Sequence, residues 1–469
     1  MSRAVFEKLR AKYAQVAESG KPVPARAADA ARVVKEAVGL VDKDGHYNTR
    51  EDGFPVLAKS RTHTTEQFKL DVVAEAVVGP DWRSLIPAHR RLSEEAAVPI
   101  GPSHFANVSA WLAIAGGLVQ GAIVEGYETS DFDLTDLFPV RNPSLMFWNG
   151  GERYTAIIGP SRPAPEFGIG QAHPDARMDA MWIEPGPMKK YGHKITVAKE
   201  TAVVDISGGR ILAEARELGM GLRYRENELC LDVITGQTNN FKLGLTNSSG
   251  ATGYNTYGAT VPTGPGTTGT LGNDIANPVS SDPMTVFNTS QNALLGYTHP
   301  ATGLPMPMAD RLSTLLIPSS ISWFATYVNT AAQITMGSQP AAPGPGTLGG
   351  GTFPTGWITS NNPFAGLFKR VITSQWLYYR HTASTTQGDP DLSAGLGLTS
   401  GVSGTANRWY RLDPERFACR RIAWDITQTE FDPRSFTMAD QNIVFGAAAD
   451  MAMQVQVLNP WAIQRNKVS

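Results

Sequence analysis

The sequence has little cysteine, no long apolar run and no excess of either charge, and each absence excludes a class of protein. Two cysteines, Cys230 and Cys419, occur in 469 residues, which excludes a disulfide framework or a cysteine-rich metal site. No stretch reaches the roughly 18 apolar residues of a membrane helix, because glycines interrupt the longest candidate, Val108 to Val124. The formal net charge is −2, so any contact with nucleic acid must come from local basic patches.

The motifs of common enzyme classes are also missing. The eight histidines are scattered, and none has a second histidine four residues away, as a helical zinc pair requires. A phosphate-binding loop and a serine nucleophile elbow are absent from the sequence. The aspartate pairs Asp131/Asp133 and Asp389/Asp391 lack the further carboxylates of a calcium loop, so solvated turns are expected there. We therefore expect no catalytic site, no metal and no cofactor, and favour a structural or binding role.

The clearest positive signal is one long amphipathic helix over residues 208–235. Its apolar residues recur at helical spacing and are Ile211, Ala215, Leu218, Leu222, Leu229 and Val233. Asp205 or Ser207 is suited to cap its start, and Gly236 to end it. Such a rod is roughly 42 Å long at about 1.5 Å per residue. Arg225 interrupts the apolar face. It is interpreted either as a side chain at the edge of the core or as an ion-pair partner of a neighbouring subunit.

The rest of the chain alternates short strands, helices and long loops, which is typical of an α+β fold. Residues 159–194 are rich in proline, glycine and charge, and predict a projecting hairpin or arm. Short strands are predicted over 312–317, 409–412, 420–427 and 451–458. An apolar helix over 105–127 contains many small residues, so close packing against a neighbouring backbone is expected.

Basic residues form three small clusters along the sequence. They are His89–Arg90–Arg91, Lys189–Lys190 and Arg420–Arg421. Each is interpreted either as a solvated surface or as a contact for phosphate or for the acidic residues of another subunit.

Several segments, taken in order, resemble the major capsid protein of tailed bacteriophages, which has the Hong-Kong-97-type fold. These segments, within residues 103–469, are HFANVSAWLAIAGGLVQGAIVEGYETSDF, ITVAKETAVVD, RLSTLLIPSSISWFATYVNT, NPFAGLFKRVITSQWL, NRWYRLDPERF and IVFGAAADMAMQVQVLNPWAIQRN. The resemblance implies an N-terminal arm, an extended loop laid on the adjacent subunit, a peripheral domain with a long spine helix, and an axial domain.

The resemblance also implies boundaries for these parts. They are an N-terminal helical extension (1–103), an N-terminal helix and lead-in (104–149), the extended loop (150–194), the peripheral domain (195–243 and 409–469) and the axial domain (244–408) with insertions at 244–290 and 337–361. An alternative boundary assigns part of the terminal strands to the axial domain. The implied location is the virion, after assembly in the host cytoplasm.

The function implied is self-assembly, through hexamers and pentamers, into an icosahedral shell around double-stranded DNA, with portal, scaffold and decoration proteins as further partners. Candidate contacts to another subunit or to DNA are Arg90, Arg91, Lys189, Lys190, Arg225, Arg420 and Arg421. Some relatives join subunits through a Lys–Asn isopeptide bond, but no residue here identifies the asparagine. The alternatives are an encapsulin-like compartment shell and a hydrolase with dispersed active-site residues.

Overall fold

The chain folds into two compact units, each assembled from separate parts of the sequence. The first takes Met1–Phe132, Lys189–Glu226 and Ile422–Met453, and the second takes Asp133–Met188, Asn227–Arg421 and Gln454–Ser469. The computed structural model describes residues 11, 15, 23–49, 56–58, 117–129, 132, 134–143, 148–155, 181–198, 209–236, 241–245, 252–254, 256–258, 260–264, 267–276, 283–299, 303–322, 329–330, 333–337, 357–361, 364–377, 408–430 and 443–467.

Helices and strands alternate along the chain, which confirms the predicted α+β class. In order they are α1 (Val23–Val38), α2 (117–129), β1 (Val140–Arg141), β2 (Tyr154–Thr155), β3 (Met181–Glu184), β4 (Lys189–Ala198), α3 (Gly209–Thr235), β5 (Phe241–Leu245), β6 (Thr252–Tyr254), β7 (Thr260–Gly264), β8 (Thr267–Thr270), β9 (Asp274–Ala276), α4 (Pro283–Leu295), β10 (Thr314–Pro318), β11 (Gln333–Gly337), β12 (Trp357–Asn361), β13 (Arg370–Ser374), β14 (Trp409–Leu412), α5 (Pro414–Phe417), β15 (Ala418–Glu430), β16 (Ile443–Val457) and β17 (Ile463–Lys467).

The predicted long helix is confirmed as α3, with 27 residues. Of its predicted apolar face, Ala215, Leu218, Leu222, Leu229 and Val233 are all buried. The helix ends as expected at Gly236, whose φ of 76° is a conformation that glycine adopts without steric cost. The predicted capping residues at its start lie outside the described residues.

Within the first unit, α2 and α3 cross at backbone contact. A Cβ added at Gly126 would lie 2.1 Å from the carbonyl oxygen of Arg216, and one at Gly219 would lie 2.0 Å from that of Ile123. Only glycine fits at either position, since real Cβ atoms do not approach backbone oxygens so closely. This confirms the expected close packing. The glycine of the predicted helix that makes it possible, Gly126, lies nearer the end of that helix than its cluster of small residues does.

Polar contacts fix the same crossing. The hydroxyl of Tyr127 donates to Glu226 Oε2 at 2.5 Å, and Arg223 Nη1 donates to that same oxygen at 2.8 Å. All three residues are at least nine-tenths buried. Any sliding of one helix along the other would separate this buried carboxylate from its two donors, so the contacts also set the register of the two helices.

The described N-terminal residues form part of the first unit. Val34, Val38 and Leu40 are buried, and the backbone N–H of Leu57 donates to Glu128 of α2 at 3.1 Å. Val34, Val38, Leu40 and Leu57 therefore belong to the core of this unit.

A long antiparallel strand pair completes the description of the first unit. β4 pairs with β16 from Lys189 opposite Met453 to Ala198 opposite Ile443. A Cβ on Gly192 would lie 2.7 Å from the Cβ of Asp450, so the two strands approach closely there.

The second unit contains a five-stranded sheet in the order β13-β10-β14-β17-β9. Helix α4 packs on it through Phe287, whose ring stacks on Trp409 with centroids 5.1 Å apart. Arg411 is fully buried and donates to Ser290, Gln291 and the carbonyl of Ala309. Burial lowers the pKa of Arg411 to about 10, so it stays charged at neutral pH.

Some elements were not anticipated. Helix α4 and strand β17 have no counterpart among the predicted elements, and the predicted 244–290 insertion holds strand β9 of the five-stranded sheet. The two units also divide α3 between Glu226 and Asn227, whereas the sequence placed the whole helix in one domain. The predicted strand at 312–317 is confirmed as β10, and a short 3-10 helix, Ser319–Ile321, follows it.

The helix crossing generates a matched pair of substitutions. Gly219→Ala should destabilise the chain by about 1–3 kcal/mol, because the methyl group forces α2 and α3 apart. Gly221→Ala, two residues away, meets only His193 at 3.9 Å and should be neutral or stabilising by up to about 1 kcal/mol through helix propensity. Chemical denaturation of both variants tests this, and equal effects would contradict the crossing.

Candidate functional site

Two short legs of chain lie side by side in the second unit, and we call them the arm base: residues 148–155 and 181–188. Thr155 of β2 is opposite Trp182 of β3, and Tyr154 is opposite Ile183, in an antiparallel pair. The backbone N–H of Met188 also donates to the carbonyl of Trp148 at 2.9 Å. The two ends of residues 156–180, which we call the arm, are therefore held side by side.

The sheet around the arm base extends beyond these two strands. β3 also pairs with β5, and β5 with β6, giving the order β2-β3-β5-β6. Gly150 and Gly151 lie within the first leg, between Trp148 and β2, and have positive φ values of 101° and 90°, a conformation that glycine favours. The legs are thus paired on both sides of these glycines, at Trp148 and at β2.

Arg421 of β15 contacts both legs of the arm base. Its Nη2 pairs with Glu152 Oε2 at 2.6 Å and its Nε donates to the Tyr154 hydroxyl at 3.3 Å, both on the first leg. Its Nη1 donates to the carbonyl of Gly186 on the second leg at 3.1 Å and to Gln454 Oε1 at 2.6 Å. The Arg421 side chain has no exposed surface, so this charge is stable only because of these acceptors.

Burial also affects the neighbours of Arg421. It raises the pKa of Tyr154 to about 12, so this hydroxyl keeps its proton at neutral pH and can accept from Arg421 while donating elsewhere. Burial likewise raises the pKa of the Cys419 thiol to about 12. A thiol that remains protonated is a poor nucleophile, so Cys419 is unsuited to catalysis.

Arg420, the preceding residue, has different partners. Its Nε donates to the carbonyl of Phe138 at 3.1 Å, and its Nη1 lies 3.5 Å from Asp136. Arg420 is 9% exposed and Arg421 fully buried, so the interpretation of this pair as a solvated surface does not hold. Each guanidinium is used within the second unit, because both faces of the strand are covered there.

Lys189 and Lys190 of β4 and Arg225 of α3 are three basic residues of the first unit, and we call them the basic strand cluster; Lys189 lies near Arg225, whereas Lys190 projects from the other face of the strand. The guanidinium of Arg225 lies 4.9 Å from the ring centroid of Tyr191, in cation–π geometry. Burial and then the charge of Arg225 lower the pKa of Lys189. Lys190 is 57% exposed and pairs with Asp450 at 2.7 Å. Arg225 is thus half-buried against β4, which agrees with its interpretation as a side chain at the edge of the core.

The structure also shows where the other predictions fall. Lys189 and Lys190, which the sequence placed in the extended loop (150–194), lie in strand β4. Arg90 and Arg91 lie outside the described residues. Glu152, Tyr154 and Gln454 were missed, since none belongs to a motif and their partner Arg421 is distant in sequence.

These arrangements suit binding more than catalysis. Among the described residues, no group of three or more His, Cys, Asp or Glu side chains could hold a metal ion. Within the same part of the chain, no helix is long and apolar enough to cross a membrane. The described residues form two features: the arm base, whose legs Arg421 joins, and the basic strand cluster.

Comparison with known proteins gives similarities at the level of structure. No protein-family model matches the chain, and no curated protein matches it. The chain is similar to the mature capsid of bacteriophage PhiM1, with 8% identity, 72% of this chain and 87% of that chain covered, and a TM-score of 0.43. It is similar to the capsid of cyanophage P-SCSP1u, with 12% identity, coverage of 72% and 89%, and a TM-score of 0.37.

A virus-like particle from Pyrococcus furiosus is a third similar structure, with 12% identity, coverage of 74% and 97%, and a TM-score of 0.34.

The buried and exposed cations predict contrasting effects on stability. Arg421→Met leaves Glu152 without its partner and should destabilise the chain by about 3–5 kcal/mol. Lys190→Ala removes an ion pair whose lysine is 57% exposed and should cost at most about 1 kcal/mol. Urea denaturation of the two variants measures both. Similar losses of stability in the two variants would contradict the burial of Arg421 among its acceptors.

Proposed function

We propose that this chain is a major capsid protein that self-assembles into an icosahedral shell enclosing the double-stranded DNA of a tailed bacteriophage. Hexamers and pentamers of the chain form the shell, with portal, scaffold and decoration proteins as further partners. Assembly takes place in the host cytoplasm. The chain acts as a structural protein and not as an enzyme.

The observation that carries the proposal is the arm base. Loops longer than about 12–15 residues are uncommon in compact domains and are usually functional or linker segments. The arm exceeds this length, yet its two ends pair directly through Thr155 and Trp182. A linker joins two separate places, whereas this segment returns to its starting point. An excursion of this kind is suited to contact another molecule.

The reach of the arm supports a contact with a neighbouring copy. Extended chain advances about 3.3 Å per residue, so a segment that goes out and back over residues 156–180 can reach roughly 40 Å. This distance is comparable to the size of a small domain. A shell subunit needs a large area of mutual contact, and an arm supplies area on a neighbour without enlarging its own core.

The basic strand cluster supports contact with packaged DNA. Lys189 and Arg225 are close enough for the charge of Arg225 to lower the pKa of Lys189, which favours an anionic neighbour. Phosphates bind such clusters without reading sequence. With a net charge of −2 for the whole chain, DNA contacts would be confined to local patches of this kind.

Electron microscopy of the expressed chain tests the proposal. The full chain, alone or with its scaffold, should form closed particles of uniform size, and particles from infected cells should contain nuclease-protected DNA. A strictly monomeric chain under all assembly conditions would contradict the shell. Particles filled with protein cargo in place of DNA would instead support an encapsulin-like compartment.

Replacement of the arm provides a sharper prediction. Residues 156–181 are replaced by Asn-Gly, the two-residue turn that suits an antiparallel pair, so that Thr155 still faces Trp182. The subunit should keep its circular dichroism and its unfolding midpoint, since both legs remain except for Met181, but should no longer form stable shells. Normal shells from this variant would remove the arm from the account.

A further inference from the structure

We propose that Arg421 is the positioning residue that holds the two legs of the arm base together and so fixes where the arm leaves the subunit. The inference rests on the proposed function for the role of the arm in assembly. The closure of the base itself is a property of the single subunit and can be measured there.

Arg421 contacts both legs of the arm base and strand β16. Glu152 and Tyr154 belong to the first leg, Gly186 to the second, and Gln454 to β16. Gln456 of the same strand also accepts from the backbone N–H of Gly186, at 3.4 Å. One guanidinium therefore joins three separate segments of the second unit.

Only arginine has the donors for this arrangement. The planar guanidinium presents five N–H groups in a fixed fork, and all three of its nitrogens have a partner here. A lysine in its place can pair with Glu152 but cannot at the same time reach Gly186 and Gln454 in the same geometry. Arg421→Lys therefore keeps a compensated charge while it disconnects the second leg from the first.

The sheet alone gives the first leg little support. β2 is the edge strand of its sheet and pairs with β3 over only two residues, Tyr154 with Ile183 and Thr155 with Trp182. Strand β3 of the second leg is held over four further positions by β5. The buried ion pair thus adds the fixed geometry that two ladder positions cannot supply, and ion pairs of this kind specify conformation more than they stabilise it.

Arg420→Lys is a matched control. Arg420 is adjacent in sequence and nearly as buried, but its contacts are with Phe138 and Asp136 and with neither leg. Both variants replace a buried arginine by lysine in the same strand, so an unspecific loss of stability affects both. Only the Arg421 variant should change the arm base.

The test uses spin labels on cysteines introduced at Asn149 and Pro187, one exposed position on each leg. The natural Cys230 and Cys419 are buried and stay unlabelled. Continuous-wave electron paramagnetic resonance of the frozen full-length subunit, analysed through its dipolar broadening, should give a narrow distance distribution for the unsubstituted chain and for Arg420→Lys. Arg421→Lys should broaden it and give about tenfold fewer particles, equivalent to about 1.4 kcal/mol in association.

An unchanged distance distribution in Arg421→Lys would overturn the inference, whatever the particle yield. If that variant does not fold, Glu152→Gln provides the second test, because it removes only the ion pair and should also broaden the distribution; a narrow one would overturn the inference. Failure of the unsubstituted chain to form particles would count against the proposed function alone, since the leg-to-leg distance is measured in the single subunit.

Discussion

The pairing of Thr155 with Trp182 is the constraint on which the proposed activity of this protein depends. It brings the two ends of residues 156–180 together within the second unit. The pairing itself is short, so it relies on contacts around it: the β3–β5 ladder on one side and the buried guanidinium of Arg421 on the other. A short pair of strands can hold a long arm in place only with such support.

Buried polar contacts have a similar role in both units. In the first unit, Glu226 accepts from Tyr127 and Arg223 where α2 crosses α3. In the second, Arg411 joins β14 to α4 and to the carbonyl of Ala309. Buried ions add little net stability because desolvation offsets their attraction, but they penalise any arrangement that leaves them unpaired. They therefore favour one packing of elements that come from distant parts of the sequence.

The sequence was informative where local pattern decides the structure. The apolar spacing of α3, its end at Gly236 and the strand at Trp409–Leu412 were predicted because each depends on neighbouring residues. Helix α4 was missed because its run of Thr, Asn and Ser obscures the apolar face that packs through Phe287. The adjacent arginines 420 and 421 were expected at the surface. Their partners Phe138 and Glu152 lie more than 260 residues away, so no local signal marks them as buried.

The central claim is that the arm lies on another copy of this chain, and crosslinking between isotopically distinct copies tests it most directly. A photoreactive amino acid replaces Phe167, in the middle of the arm, and particles are assembled from equal amounts of ¹⁴N- and ¹⁵N-labelled subunits. The account predicts that crosslinked peptides from Phe167 include mixed ¹⁴N–¹⁵N pairs at about the statistical half. Crosslinks confined to pairs of a single isotope would show that the arm folds back on its own subunit and would contradict the account.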